Sequence, residues 1–508
     1  MVETKEGKLR GYYDNGLYIF KGIKYADAKR YMPPCAVQPW EGIKDCLAYG
    51  YIAPTINPTA YEEINILTEF RWWPESEDCQ YLNVWTAHIN DAVKKPVMVW
   101  IHGGGFFCGS CLETMAYEPE QLCLDGDVVM VSLNHRLNIL GYLDLSDYGD
   151  EFANSGNLGT EDIVAALKWV RSNIAAFGGD PDNVTIFGQS GGGVKCNMLM
   201  QTPEAKDLFH KVIIQSGIPN DGVFSTCHRD ASAVARAVVE ELGGIQRLLS
   251  APFRDIKDAF LKLRPGLDAA GIHTEWAPVP NHWFLGDPLL GAEATEKFKN
   301  TPVIVGSVIA ETLTWNKRYY DYSMPEEEKL RLAEERFGVD LEALSAMYEK
   351  AYPGRNILGL LTLDSKFRSS TLDYMELRAR TARAPSYNYL LAYEFSFNGG
   401  TPAFHASEHG LIFKSYRYMP FLHEPGARKL SEEMSSCWAS FARSGCPDNG
   451  SMPEPWKPYT VQEANTMVFD RNTALRTGHD RELVKFLAEH YFEGQPDIVG
   501  YTPDQQIN

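Results

Sequence analysis

No stretch of this chain approaches ~18 uninterrupted apolar residues, so no segment reads as a membrane span. The opening Met1-Val2-Glu3-Thr4-Lys5-Glu6-Gly7 is polar and lacks the apolar core of a signal peptide. Runs of Lys or Arg are also missing, and the formal net charge is -19, from 67 acidic against 48 basic residues. A phosphate backbone needs the opposite balance, so nucleic acid is not expected as a partner, and the acidic surplus reads as solubility. The ten cysteines, at 35, 46, 79, 108, 111, 123, 196, 227, 437 and 446, read as scattered thiols without a zinc or redox motif. Together these absences imply a cytoplasmic protein with reduced cysteines. There is no internal repeat and no low-complexity linker.

What is present is 508 residues, 44% of them hydrophobic, enough for a large core. Short apolar runs alternate with helical patterns. Val97–Ile101, Val128–Leu133, Asn183–Phe187, Val212–Gln215 and Pro302–Gly306 read as buried strands, and Tyr387–Phe395 as a longer, Tyr-rich one. Between Thr160 and Gly178, the residues Ile163, Leu167, Val170, Ile174 and Phe177 recur at helical spacing. Thr160 is the expected N-cap, Glu161 and Asp162 favour the helix dipole, and Gly178-Gly179 is the expected stop. This alternation predicts an α/β fold, a mostly parallel sheet with helices on both faces and ligands at the carboxyl ends of its strands. Residues 218–300 and 315–385 are less regular and are expected to form cap insertions on a single unit spanning 1–508.

Two glycine motifs carry the chemistry. Gly188-Gln189-Ser190-Gly191-Gly192 lies between a strand and a helix, as in a nucleophile elbow. A turn that sharp leaves no room for side chains at the flanking positions and holds its serine in strained backbone. His102-Gly103-Gly104-Gly105-Phe106 directly follows another strand. It is either a flexible surface loop or a set of N–H donors fixed before charge develops on a substrate oxygen. HGGG after one strand and GxSxG after another, in that order, predict an α/β-hydrolase fold, with Ser190 as nucleophile and Gly104, Gly105 and Gly191 as the oxyanion hole.

Along nearly its whole length the chain resembles the type-B carboxylesterase and cholinesterase family. The resemblance is carried by Glu77-Asp78-Cys79-Gln80-Tyr81-Leu82-Asn83-Val84-Trp85, Asn134-His135-Arg136-Leu137, Leu140-Gly141-Tyr142-Leu143, Asn157-Leu158-Gly159, Phe177–Thr185, Gln215-Ser216-Gly217 and Trp438–Arg443. It implies a triad in chain order Ser, Glu, His. Glu311, five residues after Gly306, takes the acid position, although Thr312 stands where the family usually has glycine; the alternative is an exposed loop carboxylate. Phe404-His405-Ala406-Ser407-Glu408 resembles the family's H-G-x-E stretch, with alanine for glycine, and makes His405 the base rather than His409. Ser216 matches a supporting serine, or is a strand-end hydroxyl bonded to backbone. Glu77 is expected to pair with Arg30. Secreted relatives bridge the cysteine matching Cys79 to one upstream, but Tyr49–Pro54 offers none.

The implied activity is that of a serine carboxylesterase acting on neutral esters through an acyl-enzyme, without metal or organic cofactor. A dedicated esterase for a feruloyl, acetyl-sugar or tricarballylate-type ester is the enzymatic alternative, and a catalytically silent binding or adhesion module the non-enzymatic one. A small-molecule ester is the expected partner, and monomer and homo-oligomer stay equally open. Trp72 and Trp73 stand before the E-D-C motif, and Phe106, Phe107, Trp276, Trp315, Tyr319 and Tyr320 line an apolar gorge or belong to the core.

Overall fold

The computed structural model describes residues 1–56, 71–89, 94–218, 227–315, 319 and 321–491, with the backbone alone at 315. Its apolar runs become the centre of an eleven-stranded sheet. The strands are β1 (Tyr12–Asp14), β2 (Leu17–Lys24), β3 (Tyr81–Thr86), β4 (Lys95–Ile101), β5 (Val129–Leu133), β6 (Gly179–Gln189), β7 (Lys211–Gln215), β8 (Val303–Val308), β9 (Ser386–Leu391), β10 (Asn465–Phe469) and β11 (Ala474–Thr477). Across the sheet they run β11-β10-β9-β8-β7-β6-β4-β5-β3-β2-β1. From β5 to β10 every pairing is parallel, and both edges are antiparallel.

Strand alternation sends each run to both faces. Val97, Val99 and Ile101 join one core cluster, while Met98 and Trp100 join the other. Helix α1 (Leu158–Asn173) covers the first face with Ile163, Leu167 and Val170. Ile174 and Phe177 continue the same stripe on a following 3-10 turn, which Gly178 ends at φ 77°. The opposite face is covered by α6 (Pro425–Ser444), through Met434, Cys437, Trp438 and Phe441.

Three local expectations are corrected. The helix starts at Leu158 with Asn157 as its cap residue, so Thr160 lies in the first turn, its hydroxyl 3.3 Å from that of Tyr142. Asp162 serves a different charge from the helix dipole: its carboxylate accepts from the Arg136 guanidinium at 2.7 and 2.8 Å and from the Arg136 backbone N–H at 2.9 Å. The Tyr-rich strand stops at Leu391. Glu394–Phe395 instead pairs with Thr401–Pro402 in a separate two-stranded ribbon, because the chain leaves the sheet there toward His405.

Between β7 and β8 lie α3 (His228–Leu242) and α4 (Phe253–Ala269). Their apolar faces form one cluster with Phe106, Val194 and Met198, which places them beside both glycine motifs. Between β8 and β9 the described regular structure is helical, ending in α5 (Phe367–Thr381), which packs on β8 and β9.

Candidate active site

The elbow forms where β6 ends at Gln189 and α2 (Gly191–Met200) begins. Ser190 has φ 54° and ψ −128°, a conformation that costs a non-glycine residue energy. Its N–H is held by the carbonyl of Gln215 at 2.8 Å, and its carbonyl accepts from Val194 at 3.0 Å. Both flanking glycines are required by space. A Cβ on Gly188 would lie 2.5 Å from the Gly192 carbonyl carbon, and one on Gly192 would lie 2.1 Å from the Ile101 oxygen.

The second glycine loop packs directly against this turn. A Cβ on Gly191 would fall 2.4–2.5 Å from the N, Cα and O atoms of Gly105, and one on Gly103 would be 3.6 Å from the Ser190 Cβ. Gly104 and Gly105 have φ 77° and 58°, in the left-handed region. Of the residues proposed as N–H donors, Gly105 is therefore packed on Gly191, the residue after Ser190, and Gly104 precedes Gly105 in the same loop.

The segments that carry Glu311 and His405 are joined by a bridge between Ala310 and Phe404. Glu311 is fully buried. Its Oε2 stands 2.5 Å from His405 Nδ1, while its Oε1 accepts from Ser216 Oγ at 2.6 Å and from the Val308 N–H at 2.8 Å. Thr312 has no positive φ, so the departure from glycine there costs no backbone strain. Ala406 does, at φ 70°, and holds in the left-handed region a residue that glycine would occupy freely. Burial disfavours the charged form of His405, but the hydrogen bond and charge of Glu311 outweigh it and raise the imidazole above its ordinary 6.5.

With Nδ1–H committed to Glu311, His405 Nε2 is left as an acceptor, and the Gln189 amide nitrogen lies 3.1 Å from it. Phe367 packs against the imidazole at 5.4 Å between ring centres. His409, four residues on, is a core residue. It packs edge-on against Trp100 and Tyr117 at 5.5 and 4.9 Å, and burial, then the His405 charge, pushes it down to about 3.

Two further buried carboxyls surround the pair. Burial first, and the charge of Glu311 second, push Glu408 up to about 8 and Asp364 up to about 7. Asp364 accepts from the N–H groups of Lys366 and Arg368 at the start of α5. Neither Asp364 nor Gln189 was legible as a site residue. Asp364 is far from any motif, and Gln189 occupies the variable position of its own.

Arg30 and Glu77 form the expected ion pair, two-pronged, with one arm at 2.8 Å. All ten cysteines are free thiols. Reading them as scattered overlooks Cys108-Gly109-Ser110-Cys111, which has C-x-x-C spacing directly after the glycine loop. There Cys108 Sγ lies 3.4 Å from the Gly104 carbonyl, and Cys111 Sγ 3.3 Å from the Asn83 amide nitrogen. Trp72 is exposed, while Trp73 packs on Tyr49 at 5.9 Å. Phe106, Trp276 and Tyr319 are buried in the core, and Phe107 is half-buried against it. The Trp315 side chain and Tyr320 lie outside the described residues. Among the described residues no helix is long and apolar enough to cross a membrane.

Comparison with known proteins gives one consistent result. Residues 1–487 match the model of the Carboxylesterase family. Para-nitrobenzyl esterase of Bacillus subtilis (strain 168) is 30% identical over 95% of this chain and 97% of its own. Liver carboxylesterase of Sus scrofa is 30% identical over 91% and 88%. Among solved structures, an esterase from anaerobic Clostridium hathewayi, described as able to hydrolyse aliphatic aromatic polyesters, superposes with a TM-score of 0.91 at 40% identity, covering 96% of this chain and 97% of that one.

Proposed function

Because this chain belongs to the carboxylesterase family and is a carboxylic-ester hydrolase of the α/β-hydrolase fold, we propose that it works through a Ser190–His405–Glu311 triad and an acyl-enzyme. The observation that carries this reading is the buried Glu311–His405 contact at 2.5 Å, which leaves His405 Nε2 as an acceptor beside the amide of Gln189, the residue before Ser190. His405 takes the Ser190 proton as Oγ attacks the ester carbonyl. For this the Gln189 amide yields the Nε2 lone pair to the hydroxyl. The N–H groups of Gly104, Gly105 and Gly191 receive the oxyanion, and Ser216 steadies Glu311 from behind. His405 then protonates the leaving alcohol. Water, deprotonated by the same imidazole, releases the acid and restores Ser190.

A fluorophosphonate probe tests the nucleophile. It is expected to label Ser190 alone and abolish activity, and Ser190→Ala is expected to lose about 10⁴-fold or more in kcat. Full hydrolysis of p-nitrophenyl acetate by purified Ser190→Ala would overturn the triad, and an unlabelled, inert wild-type chain would favour the adhesion alternative.

The substrates proposed are neutral esters of short to medium acyl chain, handled in the cytoplasm. The likeness to the Clostridium hathewayi esterase favours a second reading, activity on aliphatic aromatic polyesters. Acid released from a polyester film, set beside turnover of soluble butyrate esters and long-chain triglycerides, separates the two. Faster triglyceride cleavage would replace both with a lipase.

A further inference from the structure

Helix α2 carries Lys195 just over one turn past Ser190, and the side chain has no exposure to solvent. Burying an ammonium is costly unless something binds it. Its Nζ donates to the carbonyl oxygen of His102 at 3.3 Å and stands 5.4 Å from the centre of the Phe106 ring. His102 and Phe106 are the two ends of the glycine loop, so one side chain from the elbow helix holds the loop at both ends.

The groups that face Lys195 explain how the position is tolerated. They are the Cys108 thiol and the Glu113 carboxyl beyond the loop, Cys196 on its own helix, and the His102 and His135 rings. The two imidazoles stack at 4.9 Å, and burial pushes both well below the usual histidine range, so they stay neutral beside the amine. Glu113 accepts from the Ser110 N–H and the Tyr117 hydroxyl at 3.0 Å each, and burial raises it to about 7. Burial lowers Lys195 to about 7 as well. Either form of the amine keeps a proton to donate to His102.

We propose that Lys195 is a positioning residue for ester hydrolysis, clamping the glycine loop to the elbow helix so that the Gly104 and Gly105 N–H groups face the developing oxyanion. The inference rests on the oxyanion role proposed for that loop. Its physical basis is that three consecutive glycines have no side chains to lock them, whereas electrostatic stabilisation depends on donors fixed in advance. The His102 carbonyl belongs to the peptide unit immediately ahead of the loop, so holding it sets the direction in which Gly103, Gly104 and Gly105 leave the strand.

Lys195→Met fills similar space without a donor. The test compares full-length wild type and variant for kcat and KM on p-nitrophenyl butyrate, and for inhibition by an aryl trifluoromethyl ketone, whose adduct with serine carries the oxyanion. The expected result is a loss of about tenfold or more in kcat, below the ~10²–10³ that deleting a donor itself costs. Ketone affinity should fall by the same factor while KM barely moves. A variant with unchanged kcat and ketone affinity overturns the proposal, as does a change confined to KM. If the wild type binds the ketone no more tightly than the ester, the oxyanion reading falls and this inference with it. Tight and equal binding by both leaves that reading standing and removes Lys195 alone. Should the Met variant not fold, Lys195→Leu repeats the comparison, and failure of both to fold makes Lys195 a folding residue and overturns the proposal.

Discussion

His405 and His409 show how one residue type takes two fates within a single turn. His405 faces Glu311 and is raised above 6.5, whereas His409 is enclosed by Trp100 and Tyr117 and held neutral. His405→Ala is expected to abolish turnover. His409→Ala is expected to keep most of it and to lose stability instead, because it opens a cavity in the core. In the proposed mechanism only the neutral imidazole accepts the serine proton, so kcat/KM is expected to fall as pH drops through the His405 value. A sequence reading sets that limb between about 6 and 7, near an ordinary histidine. The Glu311 contact moves it upward, so the midpoint is expected above 6.5 in a kcat/KM profile. A midpoint below about 6, or a dead His409→Ala beside an active His405→Ala, would shift the assignment by four residues.

At the scale of elements, the buried Arg136–Asp162 pair ties the chain leaving β5 to the N-terminal half of α1. Asp162 is fully buried, and Arg136 also donates to the Met32 carbonyl at 2.8 Å, so the pair fastens three segments together. Removing one partner strands a buried charge. Asp162→Ala is therefore expected to cost about 3–5 kcal/mol in urea unfolding. Asp182→Ala, which breaks the exposed pair with Arg171, should cost under ~1 kcal/mol. Equal losses in the two variants would show that burial is not what matters at Asp162. The helix itself was legible from its apolar stripe, because a 3.6-residue period survives any tertiary arrangement. The role of Asp162 was not, because its partner comes from a separate strand end.

For the whole molecule, the ten free thiols bear on the proposed compartment. Denatured without reductant, the protein is expected to titrate close to ten. Two or more native disulfides would contradict both the structure and a reducing location. A single bridge would point to Cys108 and Cys111, the pair at C-x-x-C spacing directly after the glycine loop.

The central strands and their alternation with helices, the strand–turn–helix of the elbow and the glycine loop were legible in the sequence, and the Arg30–Glu77 pair in its family resemblance, whereas the edge strands were not. Each legible feature rests on local periodicity, on glycines that no other residue can replace, or on a motif that carries its own context. Tertiary structure alone decided that Gly191 touches Gly105, that Gln189 reaches His405, and that Asp364 and Glu408 crowd Glu311. It also placed Lys195 behind the glycine loop. These contacts join residues from different strands and loops. Their energies depend on burial and on opposing charges, which exist only once the sheet has brought those segments together.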